Sequence, residues 1–414
     1  MLKNSLKCIF IATILISCNN VTKESSEKKE TIERINLKEA LNREKKVNLS
    51  EIATKVEYIQ LESNNVSLLN RIKNINKDIQ FSKKNIAIKD ASNNLILFNY
   101  SGKFVSKIGN IGKGPQEYPS IQEFTILKNG NEIALHTAQL QKVLVYNNKG
   151  AFVNSFKTGF WPLGLTSFQE DLIFMNPLGR RNYTDYFALS SLTTTGEKKK
   201  KFLFKPKEKE LDKKKKLNMF TSIHNNFVLN DTLRYWESSL GKDTIWSITK
   251  DFKEFPSYVI DFDDNLRPFE LFAYKKNISF KEMIKYGNVE YFQESSNYMF
   301  FRLYPSTKKR LHTVLYNKKT KISTSILFKK KLKKGINFSF YNDLDGGMPF
   351  WPQGKVSDDK MYMLFYGYEL KDYVARQGND LSFLSKKGRD KLLNMAKNAK
   401  ISDNPILMVV TLKK

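Results

Sequence analysis

The sequence predicts an all-β fold: a six-bladed β-propeller closed by pairing N- and C-terminal strands, with a small helical insertion near the C-terminus. Three observations carry that prediction. From Ala53 onward nearly every segment is a run of four to eight β-favouring residues bounded by Asn, Gly, Asp, Lys or Pro, which is the pattern of short strands joined by tight turns. Leu95 to Val105 is echoed by Val143 to Val153, with Phe98 matching Tyr146, Gly102 matching Gly150 and Phe104 matching Phe152, all at a spacing of 48. A repeat of roughly 40 to 50 residues holding several strands is the spacing of propeller blades. Finally, the last blade is one strand short and a spare strand, Val56 to Leu61, stands at the other end of the chain. Pairing the two closes the ring and removes two open sheet edges.

Taken in order, the 414 residues open with Lys3 and Lys7, an apolar run over 8 to 16, and Leu15-Ile16-Ser17-Cys18. This has the pattern of a signal peptide over 1–17, with an apolar run of roughly ten residues that is too short to span a bilayer. A small residue directly before Cys18 resembles the lipobox of bacterial lipoproteins. Cys18 is therefore the expected lipid attachment site, with acyl chains such as palmitate as the membrane anchor. The address that follows is the bacterial cell envelope, with the outer membrane expected and the periplasmic or surface face left open. Residues 18–52 are expected to be the lipidated cysteine and a polar tether, since 19 to 34 show no apolar periodicity. The propeller then occupies 53–414 as a single domain.

Blade one takes Arg71 to Gly109, with strands near Ile72 to Gln80, Asn85 to Ile88, Leu95 to Asn99 and Phe104 to Ile108. Blade two runs from Ile121 to Lys157 and blade three from Trp161 to Phe204, with a hairpin turn at Gly196. Blade four holds Phe220 to Leu229, Thr232 to Glu237, Asp243 to Ile248 and Ser257 to Phe262. Blade five holds Val289 to Glu294, Tyr298 to Tyr304, Arg310 to Tyr316 and Ile322 to Phe328, after a short helix around Phe280 to Tyr286. Blade six supplies Gly354 to Ser357, Met361 to Tyr366 and Ile406 to Leu412. Between its last strands, residues 370–400 carry apolar side chains at helical intervals, notably Leu392, Leu393, Met395, Ala396 and Ala399.

Lys107-Ile108-Gly109-Asn110-Ile111-Gly112-Lys113-Gly114-Pro115-Gln116-Glu117-Tyr118 resembles the Gly-x-Gly-Pro-x-Glu-Tyr signature that follows the first blade in six-bladed β-propeller lipoproteins of Bacteroidetes. Tyr58-Ile59-Gln60-Leu61-Glu62, Lys242-Asp243-Thr244-Ile245-Trp246, Gly346-Gly347-Met348-Pro349-Phe350-Trp351-Pro352 and Asp403-Asn404-Pro405-Ile406-Leu407 match in the same order. The resemblance, to an NHL-like propeller family of largely unassigned function, implies an architecture and an envelope address rather than a reaction.

Composition removes several chemistries. Both cysteines, Cys8 and Cys18, lie in the first eighteen residues, so the body has no disulfide, thiolate zinc site or catalytic thiol. Lys and Arg outnumber Asp and Glu by 70 to 42, for a formal charge of +28. Eleven lysines fall between 197 and 216 against four acids. Export makes nucleic acid an unexpected partner, and arginine and aromatic interleaving is sparse; a solvated lysine-rich surface is the favoured reading, with anionic headgroups or an acidic polysaccharide as chemical alternatives.

The Gly109, Gly112, Gly114, Pro115, Glu117 and Tyr118 set reads either as a phosphate cradle or as a glycine-shaped crossover between blades. Pro115 removes a donor where a helix would begin, which favours the crossover, with Glu117 and Tyr118 tying neighbouring blades. His136, His224 and His312 are separated by 88 and 88, the spacing of a threefold set round the channel. They fall, however, in different strand positions of their blades, so no metal and no cofactor is expected. Trp161, Asp343, Asp345, Phe350 and Trp351 are the candidate binding surface at a channel mouth, where aromatic faces stack on sugars or peptide side chains; inter-blade packing explains the same residues equally well. No nucleophile elbow or His-Glu-x-x-His pattern occurs. The expected function is a binding or scaffold module for a carbohydrate, peptide or protein partner, and the alternative is a propeller hydrolase or lyase acting on an extracellular polymer with channel-lining acid and base groups.

Overall fold

The structure, a computed structural model, describes residues 32–127, 130–175, 187–203, 225–236, 243–266, 279–283, 285–308, 310–326, 339–377 and 386–414. Three N-terminal strands come first: β1 (Glu33–Asn36), β2 (Glu44–Lys45) and, after the one-turn helix α1 (Leu49–Ile52), β3 (Ala53–Gln60). Blade one follows the one-turn helix α2 (Ile75–Asp78) as β4 (Ile79–Phe81), β5 (Asn85–Lys89), β6 (Leu95–Asn99) and β7 (Phe104–Lys107). Blade two is β8 (Glu123–Leu127), β9 (Glu132–Thr137), β10 (Lys142–Asn147) and β11 (Phe152–Lys157). Blade three is β12 (Gly164–Phe168), β13 (Asp171–Met175), β14 (Phe187–Leu192) and β15 (Lys198–Leu203). Blade four is β16 (Asn225–Leu229), β17 (Thr232–Trp236), β18 (Thr244–Ile248) and β19 (Glu254–Asp261). After α3 (Phe280–Met283), blade five is β20 (Asn288–Glu294), β21 (Tyr298–Tyr304), β22 (His312–Asn317) and β23 (Ile322–Ile326). Blade six is β24 (Gly354–Ser357), β25 (Lys360–Phe365) and β26 (Ile406–Leu412), with α4 (Gly367–Gln377) and α5 (Lys386–Asn398) inserted before its last strand.

Side chains alternate across each strand, and here both faces are buried, because each blade is pressed between two others. In blade one, Ile86, Ile88, Ile96 and Phe98 join Tyr362, Leu364 and Leu407 of blade six. Ala87, Leu95 and Leu97 turn the other way, onto Phe124, Leu135 and Leu144 of blade two. The same division of alternate residues fills the interfaces between blades two and three, three and four, four and five, and five and six. The predicted ring is therefore the observed one, and it closes as expected: β26 pairs antiparallel with β3, from Ile406 opposite Gln60 to Leu412 opposite Ala53.

Two expectations are corrected. The stretch from Ile72 to Gln80 is not one long strand; its centre is the helical turn α2, and only Ile79 onward pairs with β5. Nor is the segment before Ala53 a tether throughout. β1 adds in parallel to the outer strand of blade four and β2 to the outer strand of blade five, before β3 completes blade six. Ile35, Leu37, Leu41, Val47, Leu49 and Ile52 are buried along this path, and each such side chain is worth about 1.5–3 kcal/mol relative to exposure. The polar run that suggested a tether stops short of these residues. The folded body accordingly begins at Glu33, and the strap covers the outer edges of blades four and five.

The outer edge of blade three carries a different safeguard. Its last strand, β15, begins Lys198-Lys199-Lys200-Lys201, and lysines on an exposed edge oppose pairing with another chain. Asp171 holds Lys199 at 2.8 Å. The inserted helices bury Leu370, Tyr373, Leu392 and Ala396 against the core between blades five and six, while Leu393 faces outward. Among the described residues no helix is long and apolar enough to cross a membrane.

The 48-residue echo has a physical meaning that exceeds turn formation. Asn99 and Asn147 each accept two backbone N–H bonds through Oδ1 (3.0 and 3.0 Å; 2.9 and 3.0 Å), and the glycine three residues on is left-handed, at φ +80° for Gly102 and +85° for Gly150. The motif recurs with Thr193 and Gly196, and with Thr249, where Phe252 takes the left-handed position at φ +57°. In the first two blades the turn lies against the outer strand of the preceding blade. A Cβ on Gly102 would come within 2.0 Å of the Gln60 carbonyl oxygen, and one on Gly150 within 2.2 Å of that of Lys107.

Candidate functional site

The inner strands of the blades all begin at one mouth of the channel and end at the other. Side chains stitch them together where backbone pairing is absent: Gln80 donates to the Phe124 carbonyl (2.6 Å) and accepts from the Ile126 N–H (3.3 Å), and Ser167 donates to the Ile126 carbonyl (2.8 Å).

At the trailing mouth, where inner strands end, a cavity of about 470 Å³ opens. Phe81, Phe168 and Val356 give it an apolar wall, and Lys83, Glu170 and Asp231 a charged rim. Two of its loops are two-residue hairpin turns with both central residues left-handed: Gln169 and Glu170 at φ 51° and 70°, Asn230 and Asp231 at 47° and 56°. Such turns favour Asn and Gly, so Gln169 and Glu170 are an energetically poor choice for the turn itself. Behind Asp231, the Asn230 N–H donates to Asp358 (3.2 Å), which also holds Lys355 at 3.1 Å. Deeper still, the fully buried Glu294 meets Lys318 at 2.5 Å and Arg234 at 3.1 Å and accepts from the Tyr258 hydroxyl at 3.1 Å. Burial pushes the Lys318 and Lys355 amines below the usual lysine value against the opposing pull of Glu294 and Asp358 respectively.

At the leading mouth, blades one to three bring a second polar group together. Asp78, at the end of α2, holds Lys89 at 2.9 Å. Lys77 stands 3.6 Å from Glu123, the first residue of β8, and 3.5 Å from the Leu163 carbonyl oxygen. Gln122 donates to the Pro162 carbonyl oxygen at 2.7 Å. Burial raises the Glu123 carboxyl above its ordinary value, while Lys77 and Lys89 pull the other way.

The candidate surface divides on this geometry. Trp161 is 56% exposed and adjoins the leading-mouth group through Pro162. Phe350 and Trp351 are core residues, a correction to their assignment as a surface: Phe340 and Phe350 form an antiparallel bridge, Trp351 stacks on Phe340 (5.9 Å, 12°), and Phe300 abuts both rings edge-on. Asp343 accepts from the backbone N–H (2.9 Å) and hydroxyl of Ser50 in the first turn of α1. Asp345 accepts from Asn342 (2.7 Å), the Gly347 N–H (3.0 Å) and the Tyr58 hydroxyl (3.2 Å). Both aspartates hold the N-terminal strap and its neighbouring strand β3 to a loop of blade six.

The glycine-rich crossover folds onto itself. Glu117 accepts from the Gly114 N–H (2.9 Å) rather than reaching another blade, and Ile111 and Tyr118 bridge in parallel. Tyr118 does span blades: its hydroxyl donates to the Ile108 carbonyl (2.9 Å) while its ring meets Tyr146 edge-on at 6.3 Å. A Cβ on Gly109 would strike the Tyr146 ring. Pro115 offers its carbonyl to Lys142 (3.1 Å), and a Cβ at Gly112 would strike the Glu117 carboxylate.

His136 is buried on β9 with its Nε2 3.4 Å from the Thr158 hydroxyl, and burial pushes its imidazole down to about 4. His312, at the start of β22, has Nδ1 3.1 Å from Glu44 of the strap. His224 and Cys18 lie outside the described residues. Among the described residues no three His, Cys, Asp or Glu side chains are grouped to hold a metal ion. Glu123, Lys77 and the Glu294 cluster escaped the sequence reading because each joins residues from separate blades, with no local motif to mark them.

Three comparisons bear on this architecture. The family model described as "Domain of unknown function (DUF4934)" matches residues 32–411. No curated protein matches the chain. Among solved structures, a Bacteroides fragilis protein provisionally described as exported is 18% identical, with a TM-score of 0.67 over 93% of this chain and 100% of that one. A member of the DUF4221 family from Bacteroides vulgatus is 11% identical, with a TM-score of 0.48 over 87% of this chain and 97% of that one.

Proposed function

The chain belongs to the DUF4934 family, and from that premise we propose that this six-bladed propeller is an exported, lipid-anchored binding or scaffold module of the cell envelope, taking a carbohydrate, peptide or protein ligand at a channel mouth. The observation that supports it best is the cavity of about 470 Å³ at the trailing mouth, which falls in the size range of small-ligand sites and combines apolar walls with a few charged groups, as such sites do. The left-handed Gln169 and Glu170 turn adds to this. Non-glycine residues held in that conformation cost roughly 1–2 kcal/mol each, and backbone strain of this kind collects at functional loops.

Glu170→Gly is expected to raise stability by up to about 1 kcal/mol in urea unfolding, by relieving the turn, while removing a rim carboxylate. Wild-type protein should show a thermal shift with some members of a panel of di- to hexasaccharides and short peptides, and the variant a smaller shift with the same compounds. A wild type that responds to none of them, or a variant that responds equally, would count against the trailing mouth as the ligand site. For the anchor, Cys18→Ala in the full chain is expected to move the protein from the membrane fraction to the soluble one after cell lysis. Unchanged membrane retention would remove Cys18 as the attachment point.

A further inference from the structure

We infer that the leading mouth, at the junction of blades one, two and three, is a second binding site, and that its ligand is a neutral carbohydrate with Trp161 as the stacking platform. Of the four tryptophans, Trp236 and Trp351 are buried and Trp246 packs partly against the core between blades three and four. Trp161 alone of the four is 56% exposed. An indole offers an apolar face and a polar edge, which suits the apolar face and hydroxyl rim of a pyranose ring.

The ring is mounted on fixed backbone. Thr158 donates to the Phe160 carbonyl (2.9 Å), Gln122 to the Pro162 carbonyl (2.7 Å), and the Leu163 N–H to the Met175 carbonyl (2.7 Å). These bonds secure the chain on either side of residue 161, so less ordering remains to be done on binding.

Beside it stand two cations and two carboxylates, Lys77, Lys89, Asp78 and Glu123. Asp78 and Lys89 form a tight pair, nearly sequestered from solvent. Lys77 and Glu123 form a looser one, 3.6 Å apart with 34% and 16% of their side chains exposed. The loose pair therefore presents an ammonium donor and a carboxylate to hydroxyl groups arriving at the mouth. The charges balance, two against two, so the group has no net attraction for phosphate, sulfate or a strongly charged chain, whereas a neutral polyol uses donors and acceptors of both kinds.

The test uses the full chain on an array of neutral oligosaccharides, followed by calorimetry and tryptophan fluorescence on any that bind. The expected result is binding that perturbs indole fluorescence, weakened at least about tenfold by Trp161→Ala, partly retained in Trp161→Phe, and weakened in Glu123→Gln, with the melting temperature of Trp161→Ala unchanged because its ring is exposed. Glu170→Gly, at the opposite mouth, should leave this binding intact, which separates failure here from failure of the trailing-mouth site. Absence of any neutral-glycan binding, full affinity in Trp161→Ala, or peptides binding at Trp161 where glycans do not, would each overturn the assignment.

Discussion

Glu294→Ala is expected to destabilise the protein by about 3–5 kcal/mol, the range for removing one partner of a buried ion pair, against total stabilities of about 5–15 kcal/mol for a folded domain. The Glu294 side chain is entirely buried and takes Lys318 at 2.5 Å, Arg234 at 3.1 Å and the Tyr258 hydroxyl at 3.1 Å. Arg234 belongs to blade four and Glu294 to blade five, so the carboxylate joins two blades at their inner ends. Without it, two largely buried side-chain cations face each other with only the more distant pull of Glu33 on Lys318 to offset them, and the Lys318 amine, already below the usual lysine value through burial, would be driven lower still. The proper comparison is Glu57→Ala, which breaks an ion pair with Lys55 at 2.8 Å whose members are 41% and 62% exposed; pairs of that kind are worth under about 1 kcal/mol. Urea unfolding of both variants measures the difference. A Glu294→Ala loss no larger than that of Glu57→Ala would mean that the cluster contributes no more than a surface pair.

The second large effect is expected at the blade contacts. Gly150→Ala should cost about 2–4 kcal/mol, combining roughly 1 kcal/mol or more for a left-handed alanine with about 1–3 kcal/mol for forcing atoms into filled space. The obstruction is backbone, the Lys107 carbonyl oxygen 2.2 Å from the new Cβ, and no side-chain rotation relieves it. Gly102→Ala should behave alike, since it meets the Gln60 carbonyl in the strand that closes the ring. Gly159→Ala isolates the conformational share: its φ is +74° but nothing lies within 4 Å of the new Cβ. Denaturation midpoints should therefore fall much further for Gly102 and Gly150 than for Gly159, and equal losses in all three would refute close contact between blades.

The blades were legible because their determinants are local. Asn99 with Gly102 and Asn147 with Gly150 specify turns from residues three apart, and alternating apolar residues specify strands wherever they land. In blade four the same turn is harder to read, since Phe252 occupies the left-handed position where a glycine would have marked it. The strap was missed for a related reason. Glu33–Asn36 holds one buried apolar residue, Ile35, and Glu44–Lys45 holds none, too little to declare strands, and both segments become strands only because the outer edges of β19 and β23 are already there to receive them.

Site residues were legible only where a single residue carried the signal. Trp161, at the start of a blade, is exposed, whereas Phe350 and Trp351, singled out on the same grounds, are core. Aromatic type alone does not separate the two outcomes: Trp351 is buried and stacked on Phe340, whereas Trp161 stands exposed. Glu123 resembles any other strand-initial glutamate in sequence. It becomes distinctive when ring closure places Lys77, Lys89 and Asp78 around it. By itself, then, the sequence determined the class of fold, the number of blades and the pairing of its two ends, because turn chemistry and alternation act over a few residues and repeat. Which side chains face solvent, which ions are buried together and where the cavity opens were decided by tertiary structure alone, since those depend on groups from different blades that meet only once the ring has closed.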